Sequence, residues 1–293
     1  MSSDVTPLPI ETEAPDPAAV LQERLRNGLR NAAMRIAYDG TPFQGWQIQN
    51  HAETVQGRLQ DALSVAARLP VKVYGSGRTD TGVHALGQVA NAWVPEDTDL
   101  HKLQGSLNAL AGPDIGVLSI GWAPPEFHAR HSAVGKCYRY RIHNTSAPPV
   151  LDRQHCWWVK RPLDLGAMRA GALRLLGTHD FSSFRAKDCA AITPVREMRD
   201  IRILLTEAPE GALHLEYEAS GFLQHMVRIL TGTLVAVGHG EVTPDGVAQI
   251  LAAKRRDAAG MTAPGQGLHL LRVDYDWQRF PSLYTVLTPH SAE

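Results

Sequence analysis

Residues 70–94 read PVKVYGSGRTDTGVHALGQVANAWV and lie at the centre of the predicted fold. The stretch 70–74 has the composition of a short strand, and the apolar stretch 88–94 predicts a second strand. Between them, residues 75–82 contain three glycines, which let the backbone pass close to a ligand. We therefore expect two neighbouring strands of one sheet, joined through this glycine-rich loop (residues 75–82).

The elements on either side of this stretch complete a recurring order. A strand over 34–38 and a helix over 55–66, with Thr54 as its N-cap, precede it; a helix over 100–110 and a strand over 115–122 follow. The order β-α-β-β-α-β is the split βαβ pattern of a ferredoxin-like unit.

The later part of the chain uses similar elements. Strands are predicted over 136–143, 195–205, 212–220 and 270–275, and helices after Asp164, near Leu223 and after Thr243. We predict an α+β fold of two ferredoxin-like halves, with antiparallel sheets flanked by helices and an active-site cleft between them.

Domain boundaries follow from composition. An N-terminal α+β domain over 31–124 carries the glycine-rich loop, and a C-terminal α+β domain covers 125–280, with the join near Pro124-Pro125. Residues 1–30 are rich in proline and acidic residues and predict a disordered extension, with a short helix over 18–29 as an alternative. Residues 281–293 are expected to form a loose tail.

Composition excludes several classes of protein. Hydrophobic residues make up 44% of the 293 and charged residues 20%, as in ordinary globular proteins. No uncharged apolar run approaches the roughly 18 residues of a membrane span, so no membrane association is expected. The polar N-terminus lacks the features of an export signal. Three cysteines, odd in number and far apart, argue against a disulfide framework and favour a cytoplasmic location.

The distribution of charge indicates a nucleic-acid partner although the net charge is only −1. Between Arg130 and Arg161, seven basic residues stand against the single acidic residue Asp152. Tyrosines and tryptophans are interleaved with these cations, a combination typical of surfaces that bind single-stranded or looped RNA. The alternative is that the charge only solvates a surface.

The glycine-rich loop does not match the common phosphate-binding motifs. It lacks the Lys-Ser/Thr pair of a P-loop. Its three glycines also do not have the Gly-x-Gly-x-x-Gly spacing of a dinucleotide fingerprint, which would need the third glycine at position 80. Considered singly, Asp80 in such a turn is structural in most cases, because Asp hydrogen-bonds its own backbone there.

The string Gly-Arg-Thr-Asp-Thr-Gly-Val-His over 77–84 is similar to the catalytic motif of TruA-type tRNA pseudouridine synthases. Four further segments agree with this family in order, and the resemblance spans about residues 32–276. They are YDGTPFQGWQ at 38–47, FHARHSA at 127–133 with YRY at 138–140, DFSSFR at 180–185, and HMVR at 225–228. A histidine, His269, stands where the family commonly has an aromatic residue.

The resemblance implies specific roles for residues of the site. Asp80 would be the nucleophile, or the group that drives bond cleavage, and Arg228 would pair with it. Arg78 would help to turn the nucleotide out of its stack. Tyr138 would stack on the target base, and its hydroxyl is a candidate for removing the C5 proton. Substrate-binding residues would be Tyr138, Arg130, Arg139, Arg141 and Arg185.

The resemblance also implies the substrate and the assembly. The family acts on tRNA, on uridines thirty-eight to forty of the anticodon stem and loop, as a homodimer whose cleft is shared by two subunits. Because the reaction is an isomerisation, neither a cofactor nor a metal is expected.

Two other readings stay open at this point. His128, His131 and Cys137 are a candidate metal cluster, but no established zinc spacing follows them. The chain is alternatively a noncatalytic RNA-binding module, which would need an aromatic-rich strand that the sequence lacks. The motif around Asp80 favours an enzyme.

Overall fold

The computed structural model describes residues 17–206 and 211–288. Strands and helices alternate along the first half of the chain. In chain order they are α1 (Pro17–Arg26), β1 (Leu29–Tyr38), α2 (Val55–Ala67), β2 (Val73–Gly75), β3 (His84–Pro95), α3 (Leu100–Leu110) and β4 (Ile115–Trp122).

The second half continues the mixed α and β pattern. Its elements are β5 (Ala133–His143), β6 (Trp157–Trp158), α4 (Leu165–Leu173), β7 (Gly177–Asp180), β8 (Val195–Leu205), β9 (Ala212–Ala219), α5 (Met226–Gly238), α6 (Pro244–Ala253), β10 (Leu268–Tyr275) and α7 (Tyr284–Leu287). The α+β class is confirmed.

A single, mostly antiparallel sheet runs through both halves in the order β4-β1-β3-β10-β5-β9-β8-β7, with β2 paired to β3 and β6 to β5. Strand β10, from the end of the chain, pairs in parallel with β3 and antiparallel with β5. It therefore joins the strand that follows the glycine-rich loop to the strand that carries Tyr138. The sequence predicts a sheet in each half, whereas strands of both halves belong to one continuous sheet. Strand pairing therefore marks no boundary along the chain, and the division into two ferredoxin-like halves and the domain boundaries stay predictions.

Local signals in the sequence account for the helix starts. The side chains of Thr54, Asp164 and Thr243 accept hydrogen bonds from backbone amides in the first turns of α2, α4 and α6. Pro244 occupies the first helical position of α6, where no amide is needed. These caps confirm the predicted starts.

Strand β5 has the two faces that its alternation predicts. Tyr138, Tyr140 and Ile142 are buried, whereas Arg139 and Arg141 are half-buried on the other face. The buried side chains join the hydrophobic core, and helix α5 packs against β5.

The prediction for the two ends of the chain needs correction. Residues 17–26 form α1, close to the helix over 18–29 that the sequence left as an alternative, and residues 29–30 already belong to β1, so the extension is not disordered throughout. Arg24 of α1 donates to the Tyr74 hydroxyl at 3.1 Å, which docks the helix on the body. Residues 1–16 lie outside the described part of the chain.

The C-terminal tail is ordered as far as residue 288. Leu283 and Leu287, four residues apart, are both buried, and the Ser119 hydroxyl donates to the Val286 carbonyl. This apolar spacing anchors α7 on the sheet, contrary to the prediction of a loose tail. Residues 289–293, and residues 207–210 between β8 and β9, lie outside the described residues. Within the described part, no helix is long and apolar enough to span a membrane.

Candidate active site

The glycine-rich loop borders an open cleft of about 1300 Å³. Its walls come from this loop, from the start of β5 and from residues 220–227, which lead into α5. Segments far apart in sequence and from both halves of the chain thus face one space, where the sequence predicts the active site.

The backbone of the glycine-rich loop is held in place by the segments around it. Gln88 Nε2 donates to the Gly77 carbonyl at 3.1 Å, and the amide of Trp46 donates to the Thr79 carbonyl at 3.0 Å. Gly45 has a positive φ of 83°, and a Cβ there would lie 2.6 Å from the Thr79 carbonyl oxygen. The close seat of the loop therefore requires glycine at this position.

Asp80 projects from the loop into a partly sheltered position, with 24% of its side chain exposed. Its Oδ2 accepts a hydrogen bond from an Arg228 terminal nitrogen at 2.9 Å. His225 Nε2 lies 3.5 Å from the same oxygen. Because His225 and Arg228 are three residues apart at the start of α5, both reach the carboxylate from one side.

The guanidinium of Arg228 is divided between two acceptors. Its Nε donates to the Ala263 carbonyl at 2.7 Å, while one terminal nitrogen serves Asp80. The predicted contact with Asp80 is present, but it is a single hydrogen bond from one terminal nitrogen of the guanidinium rather than a bidentate pair. The backbone contact orients the guanidinium, so the carboxylate meets a fixed donor.

Tyr138 lies in the wall of the cleft and is 7% exposed. Its ring meets Phe222 edge to face, with centroids 5.1 Å apart. Burial raises the pKa of Tyr138 well above its ordinary value, and the charges of Tyr38 and Asp80 raise it further. The phenol therefore stays protonated at neutral pH.

Two of the predicted arginines are exposed in the cleft. Arg78 donates from Nε to Gln47 Oε1 at 2.9 Å, and Arg130 follows the half-buried His128. Exposed guanidinium groups in an open cleft are suited to phosphates or bases of a bound RNA.

The structure does not bring Arg139, Arg141 or Arg185 into the lining of the cleft. Arg139 Nε donates to Glu216 on β9 at 2.9 Å, and Arg141 lies 3.4 Å from Asp152. Since Arg139 and Arg141 leave β5 on the face opposite Tyr138, they cannot share its space. Their predicted contact with substrate would have to occur outside the cleft.

Two residues near the site received no role from the sequence. His225 stands in the HMVR motif, and Lys136 is one of the basic residues counted between 130 and 161, but nothing local connects either with Asp80 or its loop. Lys136 Nζ donates to the Ser76 carbonyl at 2.8 Å and lines the cleft.

The candidate metal cluster of His128, His131 and Cys137 is not gathered into one site. The two imidazoles lie 4.4 Å apart in the cleft wall, but Cys137 is buried on the other face of β5. Burial raises the pKa of its thiol to about 11, which disfavours the thiolate that a metal needs.

A different histidine group lies where β3 meets β10. In residues 17–206 and 211–288, the ligand atoms of His84, His155 and His269 fall within 4.8 Å of one another. The rings of His84 and His269 are stacked, with centroids 4.7 Å apart and planes inclined by 20°. A metal lies in the plane of each imidazole that binds it, and nearly parallel planes have no common point close by. The arrangement is therefore a ring stack rather than a ligand set.

The model of the family described as "tRNA pseudouridine synthase" matches residues 34–130 and 172–276, which include the glycine-rich loop with Asp80, and Arg228. The chain belongs to the tRNA pseudouridine synthase family. Members of this family isomerise uridine to pseudouridine. The predicted family resemblance is confirmed.

Curated relatives support the assignment over most of the chain. The tRNA pseudouridine synthase A of Paramagnetospirillum magneticum is 43% identical over 241 residues, covering 82% of this chain and 93% of its own. That of Thermoanaerobacter sp. strain X514 is 42% identical over 247 residues, covering 84% of this chain and 100% of its own. A solved H/ACA ribonucleoprotein bound to substrate RNA aligns with 82% of this chain and 47% of that chain, at 11% identity and a TM-score of 0.35. That likeness is too weak to carry an argument.

Proposed function

We propose that this protein converts uridines thirty-eight to forty in the anticodon stem and loop of tRNA to pseudouridine, with Asp80 as the nucleophile. The observation that carries the proposal is the Asp80 carboxylate, fixed by Arg228 at 2.9 Å beside an open cleft with exposed arginines. The named relatives are tRNA pseudouridine synthases, which supports tRNA as the substrate.

The reaction breaks the N1–C1′ bond of uridine and forms a C5–C1′ bond. N1 gains a proton and C5 loses one, so the product is an isomer and the balance needs no oxidant, reductant or added group. A carboxylate near the sugar and base is suited to start this reaction by attack at C6, by attack at C1′, or by abstracting a sugar proton to give a glycal. Arg228 and His225 both approach Oδ2 of the carboxylate, and Asp80 itself lines the cleft in which the nucleotide would bind.

The side chains around Asp80 suit an extruded nucleotide. A base inside a stem cannot reach a carboxylate in a cleft, so the target must turn out of its stack. Arg78, an exposed residue of the cleft lining, is the residue proposed to occupy the vacated space. Tyr138, whose ring lies in the cleft wall, is proposed to contact the base.

We also propose a homodimer that works in the cytoplasm. Support for an assembly comes from apolar side chains exposed near the cleft. Ile192 is fully exposed, and Val195, which lines the cleft wall, is 45% exposed. Exposed apolar groups beside a functional cleft are typical of a surface covered by a partner.

The test uses tRNA that carries tritium at C5 of uridine. The wild-type protein should release tritium to water, because the C5 hydrogen is lost only when the base is rejoined through that carbon. Asp80→Asn should abolish release while tRNA affinity stays within about tenfold, since phosphate contacts dominate binding.

The matched control is Asp188→Asn, the same change at an exposed acid that lines the same cleft. It should keep wild-type release. Turnover by a clean preparation of Asp80→Asn would refute the nucleophile. A wild-type protein that binds tRNA without releasing tritium would favour a noncatalytic binding module.

A further inference from the structure

Lys136 ties the glycine-rich loop to the strand of Tyr138. Lys136 and Tyr138 are two residues apart on β5, so their side chains leave the strand on the same face, toward the cleft. Lys136 Nζ donates to the Ser76 carbonyl at 2.8 Å. Ser76 precedes Asp80 by four residues in the loop.

This contact differs in origin from the other bonds that hold the loop backbone. The Ser76 amide donates to the Val89 carbonyl at 2.8 Å, and Gln88 and Trp46 serve the next carbonyls. Those partners belong to the first half of the chain, whereas Lys136 belongs to β5 in the second half. The Lys136 ammonium therefore fixes the glycine-rich loop, which carries Asp80, relative to the strand that carries Tyr138.

The loop leaves a space for this ammonium at Gly77. A Cβ built on Gly77 would lie 2.3 Å from Lys136 Nζ. Gly77 is not among the glycines with positive φ, so its backbone does not itself require glycine. The contact that forbids a side chain is with the end of a flexible lysine, so Gly77→Ala should displace the ammonium without disturbing the fold.

The charge of this ammonium is sensitive to pH. Burial and, to a smaller extent, the nearby charge of Arg130 together lower the pKa of Lys136 to about 8. Lys136 is thus mainly protonated at neutral pH and loses its charge in mildly alkaline solution. A protonated amine is the stronger donor to a carbonyl oxygen.

We infer that protonated Lys136 is a positioning residue for pseudouridine formation, which sets the Asp80 loop against the strand of Tyr138 by holding the Ser76 carbonyl. The inference rests on the proposed function. Lys136 acts through the loop and does not touch the reacting atoms.

The first experiment compares Lys136→Met and Gly77→Ala with the wild type in the tritium assay. Each should lower kcat about 10- to 100-fold, the loss expected when a reactive group is misplaced by about 1 Å, with KM for tRNA within about threefold. Both changes remove the same contact, the hydrogen bond from Lys136 to the Ser76 carbonyl. The kcat of the double variant should therefore be no lower than that of the slower single variant. Lys72→Met, at an exposed lysine outside the cleft, is the matched control and should keep wild-type kcat.

The second experiment measures kcat/KM against pH for the wild type and Lys136→Met. The ratio of the wild-type kcat/KM to that of Lys136→Met should shrink as the pH rises through about 8, where Lys136 of the enzyme without bound tRNA loses its proton. Titration of uridine itself affects both proteins equally and cancels in the ratio. A ratio that does not change with pH would overturn the role of the charge.

Amide hydrogen exchange separates this inference from the proposed function. Exchange over residues 75–82 should be faster in Lys136→Met than in the wild type or in Lys72→Met. Wild-type kcat in Lys136→Met, a rise in KM alone, or unchanged exchange would each overturn the inference. A wild-type protein that releases no tritium would refute the proposed function, and the exchange data would still decide whether Lys136 holds the loop.

Discussion

Burial limits the chemistry that the Tyr138 side chain can perform. Removal of the C5 proton by its hydroxyl, one of the roles that the family resemblance implies, requires the phenolate. Desolvation together with the charges of Tyr38 and Asp80 raises the pKa of Tyr138 well above its ordinary value, so the phenolate is scarce at neutral pH. The geometry favours a contact between ring and base.

Tyr138→Phe should therefore keep most of the tritium release, because it keeps the ring. A lost general base would instead cost about 10²-fold or more. Tyr138→Leu, which removes the ring, is the comparison and should lose more activity than Tyr138→Phe. A drop of that size in Tyr138→Phe, measured at neutral pH with tRNA affinity unchanged, would restore the proton-transfer role.

At the scale of secondary-structure elements, Arg24 makes several of the contacts between helix α1 and the rest of the protein. The Arg24 guanidinium carbon lies 5.7 Å from the ring centroid of Tyr74 and 5.2 Å from that of Trp93, and Arg24 donates to the Tyr74 hydroxyl. Val20 and Leu21 are the other half-buried residues on this side of the helix. The cation–π contacts and the hydrogen bond of Arg24 contribute to the docking of α1 beside them.

Arg24→Ala should lower the free energy of unfolding by about 1 kcal/mol, the sum expected for a partly exposed cation–π contact and one hydrogen bond. Urea unfolding measures this difference, provided that the slope of the free energy of unfolding against urea concentration is the same for both proteins. Arg26→Ala, an exposed residue of the same helix that contacts only Gln22 among its described hydrogen bonds, is the control and should have little effect. Equal losses in the two variants would show that α1 is not docked through Arg24.

At the scale of the whole molecule, the joint between the halves contains stacked histidines. His84 of β3 and His269 of β10 face each other where these strands pair in parallel, with His155 against His84. Burial is the main cause that lowers the pKa of His269 to about 3, and the charges of His84, Arg141 and His155 act in the same direction. Burial and His155 also lower the pKa of His84, against an opposing effect of Asp39.

This joint should make the protein sensitive to acid. An unfolded histidine titrates near pH 6.5, about three units above folded His269, so below that pH the unfolded chain binds more protons. Stability should therefore fall as the pH is lowered from about 6.5 toward 5. His269→Phe keeps the stacked ring without the titration, and its Tm should fall less over this range. His101→Phe, at an exposed histidine, should follow the wild type. Parallel Tm curves for wild type and His269→Phe would contradict the prediction.

Local sequence determined the elements of this protein and the motif of its candidate site. Thr54, Asp164 and Thr243 mark helix starts through bonds to amides three residues away, and the alternation along β5 separates Tyr138 from Arg139. Both signals act over a few residues, so they can be read directly. The same holds for Asp80, because its motif is contiguous.

The tertiary structure decided which distant groups meet. Asp80 and Arg228 are 148 residues apart, Lys136 and Ser76 are 60 apart, and Arg139 is paired with Glu216 only because β5 lies beside β9 in that register. The order in which strands pair, including the insertion of β10 between β3 and β5, depends on the burial of whole surfaces rather than on any short pattern. For that reason the family motifs pointed to Asp80, the proposed nucleophile, and to Arg228, but the sequence assigned no role to Lys136 or His225 and put Arg139 and Arg141 among the substrate contacts.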